Sequence, residues 1–324
     1  MGYAYTALLA RPIPIHAEEP DWDMAEVTET CIDDYLRILN LSVTERLGYI
    51  RHALFDFDGT ISTLRQGWEE AMIPVMLEAI CGSHPVTPEI EQEVREYVDR
   101  STGILTIEQM RWLVDAVRRH GLAGEPLTAA QYKQIYLDRL LVTVNRRVER
   151  VRRGEISPSD AMILGAGEFL RALRARGVTL YLASGTDHPY VIHEASVLKI
   201  DHYFTGGIYG ALDATEANNK ERIIQRILDE HRLSGQELLV VGDGPVEIRE
   251  AVARGAIALG MATDEVARRG WNRHKMRRLI SAGADMLAPD FSRPELLIDV
   301  LFNKRGITPP RIESLREHHG QGGD

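Results

Sequence analysis

The chain has 324 residues, of which 44% are hydrophobic and 27% charged, with a formal net charge of -10. That is the composition of a globular protein long enough for two domains. The acidic balance disfavours nucleic acid as a partner, and no apolar run approaches the roughly 20 residues of a membrane span. Cys31 and Cys81 supply neither a disulfide framework nor a metal-ligand cluster, so a reducing, cytoplasmic home is expected.

In chain order, Tyr5 to Ala10 is short, has no basic region before it and runs into Arg11 and Pro12, a poor signal peptide. Residues Asp23 to Leu47 read as an amphipathic helix, making residues 1–50 a helical extension, with packing on the core or between two copies in a homodimer set beside a direct catalytic role. Next comes His52-Ala53-Leu54-Phe55-Asp56-Phe57-Asp58-Gly59-Thr60, an apolar run ending in two carboxylates one residue apart. Side chains alternate along a strand, so Asp56 and Asp58 leave its end toward one side. Such a pair can divide the labour of phosphoryl transfer: one carboxylate attacks phosphorus, and the other protonates the leaving oxygen and later deprotonates a water. The same letters also describe a plain strand entering an Asp-Gly turn.

From about Leu64 to Leu164 the text is helical, with apolar residues at three- and four-residue spacing over Trp68 to Ile80, Pro88 to Val98, Ile107 to His120 and Ala129 to Val151. Gly67 on one side and Gly154 to Ser159 on the other are the expected hinges. A helix over Gly165 to Arg176 then leads to Val178-Thr179-Leu180-Tyr181-Leu182-Ala183-Ser184-Gly185-Thr186, a β-rich run ending in a small polar turn. Its hydroxyl and turn amides can hold phosphate oxygens.

A further helix is expected over Val191 to Leu198, and another starting at Asn218-Asn219-Lys220-Glu221. The helix dipole gives no reason for a cation in that first turn, so Lys220 has a functional task. Lysine is scarce: the chain holds only Lys133, Lys199, Lys220, Lys275 and Lys304, and Lys199 reads as the solvated end of a helix. A phosphoryl dianion among several carboxylates requires such a cation together with a metal ion. Leu238 to Val241 is a buried strand ending in Gly242-Asp243-Gly244-Pro245-Val246-Glu247, whose carboxylates suit a hard, oxygen-loving cation. A helix over Val246 to Arg254 and a strand over Ala256 to Gly260 continue the alternation. The order argues an α/β parallel sheet with helices on both faces and its ligands at the carboxyl ends of the strands.

With these four segments in fixed order between about residues 51 and 290, the sequence resembles the phosphatases of the haloacid dehalogenase superfamily. The resemblance implies a Rossmann-like core at residues 51–63 and 165–305 and a helical cap of the C1 type at residues 64–164. It also implies that Asp56 is the phosphoryl-accepting nucleophile and Asp58 the general acid and base. Ser184, Gly185 and Lys220 would bind the phosphoryl group. Mg2+ would be held by Asp56, the backbone carbonyl of Asp58, Asp243 and Glu247. Glu247 stands where the family more often has Asp, and its link to the metal, direct or through water, stays open.

Arg65, Gln66, Trp68 and Glu69 follow the first motif closely and are candidates for substrate contact, the alternative being a core Trp68 with solvated neighbours. Asp187 and His188 either border the pocket or form the polar first turn of the next helix. The wording around Ser184 and Asp243 also resembles phosphatase domains found beside sugar kinases, which implies a small phosphorylated metabolite such as a sugar or cyclitol phosphate. A phosphomutase would use the same motifs, and a non-catalytic binding or regulatory module could share the fold. Residues 306–324, with Pro309-Pro310 and a Gly-rich end, read as a flexible tail whose His318-His319 pair is solvated.

Overall fold

The computed structural model describes residues 30–211 and 220–302. Its frame is an eight-stranded sheet in the order β1-β2-β8-β7-β6-β3-β4-β5. The strands are β1 (Thr30–Ile32), β2 (Leu36–Ile38), β3 (His52–Phe55), β4 (Thr179–Asp187), β5 (Gly207–Ala211), β6 (Leu238–Gly242), β7 (Ile257–Met261) and β8 (Met286–Ala288). From β5 to β8 every neighbouring pair is parallel, as the alternation of elements predicts.

Ala53, Phe55, Leu239 and Val241 face one side of the sheet and pack with α5 (Ala166–Arg174), α6 (His188–Val197) and α10 (Pro294–Leu301). Leu54, Val240 and Ala258 face the other side, against α7 (Lys220–His231), α8 (Pro245–Ala253) and α9 (Arg273–Ser281). Both faces are therefore dry, which explains why β3, β6 and β7 read as continuous apolar runs. The central position of β3, between β4 and β6, brings the ends of the three motif-bearing strands together.

Between β3 and β4 the chain forms α1 (Trp68–Cys81), α2 (Pro88–Arg100), α3 (Thr106–His120) and α4 (Ala129–Arg152), and no strand lies among them. Thr87 and Thr128 cap α2 and α4 through their side chains, and Pro88 sits in the first turn of α2. The helices meet through Val94, Met110, Leu113, Val117 and Leu140, all buried, and Tyr97 stacks on Trp112 at 3.8 Å.

Three expectations need correction. The helix expected over Asp23 to Leu47 is instead, over Thr30–Ile38, an antiparallel hairpin that pairs β2 with β8 and makes the sheet mixed, and of its described residues only Leu41–Glu45 are helical, as a short 3-10 helix. Leu36 and Ile38 are fully buried on either side of a half-buried Arg37, a period of two that in so short a run also fits a helical stripe. Asp33 and Asp34 both take positive φ in the turn, a conformation Asp tolerates better than most residues. Second, Ser184 to Thr186, expected as a turn, continue β4 along β5 with a register shift between Ala183 and Asp187. Third, β5, β8, α9 and α10 form in segments for which no element was expected. The tail and its His318-His319 pair lie outside the described residues, as do Asn218, Asn219 and the first part of the predicted N-terminal helix. Among the described residues no helix is long and apolar enough to cross a membrane.

Candidate active site

The two first-motif carboxylates emerge where β3 ends. Asp56 is buried, and its backbone N–H still donates to Val241, so it is fixed as the last rung of the parallel ladder. The Lys220 ammonium reaches Asp56 Oδ1 at 2.6 Å and Glu247 Oε2 at 2.8 Å. Thr60 Oγ1 lies 3.1 Å from Asp56 Oδ2 and 3.2 Å from Asp243 Oδ1 and links the two carboxylates. Burial drives the Asp56 carboxyl well above the usual range; Lys220 opposes this, while Glu247 and Asp243 add to it. Lys220 is the cation that opposes this rise, so further positive charge at this carboxylate would favour its anion.

Burial also disfavours the Lys220 ammonium, but Asp56 and Glu247 outweigh that and hold it above the ordinary lysine value. The charge at the start of α7 is thus stabilised by carboxylates from two other motifs. Glu247 is engaged at both oxygens: Oε2 takes Lys220, and Oε1 accepts the Gly244 N–H at 2.7 Å, closing the first turn of α8.

Asp58 faces the same cavity. Its Oδ2 accepts hydrogen bonds from Ser184 Oγ at 2.9 Å and Thr186 Oγ1 at 3.0 Å, whereas Oδ1 is buried with no hydrogen-bond partner among the described residues. The Arg65 guanidinium is the nearest cation, 3.8 Å from Oδ1. Ser184 is thus brought to the site, with its hydroxyl spent on Asp58. Gly185 lines the cavity, and a Cβ there would meet the Ile104 carbonyl oxygen at 2.3 Å, so a glycine is required for that approach.

Asp56, Asp58, Arg65, Trp68, Ser184, Gly185 and Asp243 share a cavity of about 70 Å3 with residues of the α2–α3 turn and with Gln109 and Tyr136. Trp68, Thr102 and Asp243 also line an adjoining cleft of about 740 Å3, to which Gln66, Glu69, Lys275 and Arg278 belong. Arg65 is buried, donating Nη2 to Glu194 at 2.6 Å and stacking on Tyr190, so it is no solvated neighbour. Asp187 and His188 must be corrected as substrate candidates. Neither lines the cavity: Asp187 is paired with Lys133 of α4, and His188 opens α6.

Asp56, Asp243 and Glu247 offer carboxylate oxygens within 4.8 Å of one another, all three residues buried. The donor set is oxygen only, with hard anionic character, and fits Mg2+ in chemistry. Asp243 is held ionised in a way the sequence reading missed. Burial alone would raise its pKa, but Lys275, with Nζ 2.7 Å from Oδ2, and then Arg278 hold it below the usual carboxylate range. The scarcity of lysine that singled out Lys220 applies equally to Lys275, but Lys275 follows the fourth motif and lies in a segment for which no helix was expected.

The α2–α3 turn was missed as well. Gly103, at φ +91°, sits so close that a Cβ would stand 2.9 Å from Glu247 Oε2 and 3.3 Å from Lys220 Nζ. Its signal was the Ser101-Thr102-Gly103 interruption between two helical runs.

Fold and site together define an α/β enzyme whose paired carboxylates meet a buried lysine at the carboxyl ends of parallel strands. The family model of haloacid dehalogenase-like hydrolases matches residues 50–255, and the chain belongs to that family. A 5'-nucleotidase of Pseudomonas aeruginosa is 29% identical over 150 residues, covering 45% of this chain. The match spans 66% of that relative's length. Among solved structures, a β-phosphoglucomutase from Clostridium difficile is similar with a TM-score of 0.54 at 12% identity, over 80% of this chain and 100% of that one. A phosphonoacetaldehyde hydrolase-like protein from Oleispira antarctica also has a TM-score of 0.54, at 17% identity over 80% and 94% of the two chains. At such identities these structures establish the shared fold.

Proposed function

We propose that the protein is a Mg2+-dependent phosphomonoester hydrolase that works through an aspartyl-phosphate on Asp56. The observation that carries this reading is the convergence of Asp56, Asp58 and Asp243 on one cavity, with the buried Lys220 2.6 Å from Asp56. In this reading Asp56 attacks phosphorus while Asp58 gives a proton to the leaving oxygen. Asp58 then takes a proton from the water that attacks the phosphorylated Asp56, and inorganic phosphate leaves. Lys220 trades part of its interaction with Asp56 for the phosphoryl oxygens, helped by the backbone amide of Gly185. Ser184 and Thr186 hold Asp58 in the orientation its proton transfers need. Asp56, Asp243 and the backbone carbonyl of Asp58 would hold Mg2+, which supplies the charge that lets a phosphoryl dianion approach carboxylates. Glu247 serves chiefly to hold Lys220.

Helices α1–α4 act as a cap that closes over the cavity and excludes water from the first step. The leaving group lies toward the cleft beside Trp68, which gives Arg65 and Trp68 a part in substrate choice. A small phosphorylated metabolite is the substrate class, with sugar and cyclitol phosphates first. The 5'-nucleotidase relative favours a second reading, a nucleoside 5'-monophosphate, with the base in the same cleft.

The test is phosphate release from a panel of sugar, cyclitol and nucleoside monophosphates, with Mg2+ and with a chelator. Asp56→Asn should fold and lose activity by on the order of 10^3-fold or more. Chelator-resistant release, or an Asp56→Asn protein of undiminished activity, would refute the proposal. Following sugar-phosphate isomers in the same reactions separates hydrolysis from mutase action: phosphate in proportion to substrate consumed supports hydrolysis.

A further inference from the structure

We infer that Arg278, on α9 and outside every motif, is a positioning residue that ties the α2–α3 turn of the helical insertion to the backbone of Asp243. This inference rests on the hydrolase reading only for its kinetic readout.

One guanidinium joins two parts of the chain that the sequence separates by more than a hundred residues. Its Nη2 donates to the Asp243 carbonyl oxygen at 2.9 Å. Its Nη1 donates to Thr102 Oγ1 at 3.1 Å and to Asp99 Oδ1 at 3.2 Å, at the end of α2. A planar, always charged fork suits this bridge; a lysine ammonium on a single stem cannot reproduce its fixed geometry. His274, one turn earlier on α9, lies 3.6 Å from the same Asp99 carboxylate and supports that side of the contact.

The consequence follows from what Thr102 precedes. Gly103 is the residue whose backbone lies over Glu247 and Lys220, and the Thr102 carbonyl oxygen would stand 3.2 Å from a Cβ on Gly244. The turn therefore touches both the helix carrying Glu247 and the lysine that faces Asp56. Arg278 holds this turn through Thr102 and Asp99 and, through the Asp243 carbonyl, fixes it relative to the fourth-motif turn. Its grip is made only when insertion and core are together, so it favours the arrangement in which Gly103 covers the site. Arg278 itself lies in the adjoining cleft and not in the cavity with Asp56 and Asp58. It acts through Thr102 and Gly103.

The experiment uses the full chain and the substitutions Arg278→Gln and Thr102→Val, singly and together. Removing the bridge should let the turn move by a fraction of an ångström to an ångström, a displacement that costs ~10- to 100-fold in kcat when it misplaces reacting groups. Phosphate release from p-nitrophenyl phosphate with Mg2+ should show that loss mainly in kcat for Arg278→Gln. The double variant should be little worse than Arg278→Gln alone, because both substitutions remove one contact. Effects that multiply, or an unchanged kcat in Arg278→Gln, overturn the inference.

Amide hydrogen exchange gives a readout that needs no turnover. Exchange over residues 100–106 should rise ~10-fold in Arg278→Gln, with α10 unchanged, as expected for local opening without global unfolding. Unchanged exchange over residues 100–106, or an equal rise everywhere, overturns the bridge. If the wild-type protein releases no phosphate from any ester, the hydrolase proposal fails, and exchange alone decides the role of Arg278.

Discussion

Gly103→Ala is the substitution whose outcome the structure determines most directly. The residue has φ +91°, and an added Cβ would lie 2.9 Å from Glu247 Oε2, 3.3 Å from Lys220 Nζ and 3.7 Å from Val246 Cβ. Glu247 cannot swing aside freely, since Lys220 holds one oxygen at 2.8 Å and the Gly244 N–H holds the other at 2.7 Å. The turn must therefore retreat, and the alanine also bears the cost of positive φ, about 1–2 kcal/mol. A retreat of roughly half an ångström predicts a ~10-fold loss of kcat. Gly121→Ala is the matched control: φ is +64°, and a Cβ would find nothing within 4 Å. Urea unfolding should show both variants destabilised by about 1 kcal/mol or somewhat more. Phosphate release at saturating substrate should fall in Gly103→Ala alone. Equal activity in the two variants would refute the argument that close approach of this turn matters.

Asp58→Ala should cut hydrolysis of alkyl phosphates far more than that of aryl phosphates, whose leaving groups need little protonation; equal losses would remove the acid role from Asp58. Lys220→Met leaves Asp56 and Glu247 facing each other in a buried site and should cost about 3 kcal/mol in metal-free buffer. Adding Glu247→Gln should restore part of that stability, and denaturant midpoints that fail to recover would contradict the charge argument. His52, hydrogen-bonded to Tyr181 at 3.0 Å, is pushed down to about 4 from 6.5 by burial and then by His231 and Arg51. The unfolded chain takes up that proton first, so this contribution is complete above pH 6.5 and is lost as pH falls through 4. After allowance for solvent screening it amounts to about 1–2 kcal/mol. His52→Gln should flatten the stability curve by that amount over this window; a variant curve parallel to that of the wild type would exclude His52 as its source.

The sequence by itself determined the parts of this protein whose signal is local. Periods of three to four residues mark α1–α4 because each helix buries one face against the others. Uninterrupted apolar runs mark β3 and β6 because both faces of the sheet are covered. Asp56 and Asp58 were legible because a strand fixes the directions of residues two apart, and Lys220 because a cation in a first helical turn has no local reason to be there. The tertiary structure decided what depends on contacts between distant segments. Leu36 and Ile38 form a strand because β8 offers an edge some 250 residues later, and nothing in their own spacing forces that outcome over a helical turn. For Asp187 the sequence left two readings open, pocket border or helix start, and it is Lys133, from the helical insertion, that takes its carboxylate at the start of α6. Nothing local sets Lys275 and Arg278 apart from solvated charges, yet α9 packs beside the fourth-motif turn and delivers both to Asp243. A lone charge carries no local record of its partner: whether it is solvated or holds a site together is settled by the chain that folds against it.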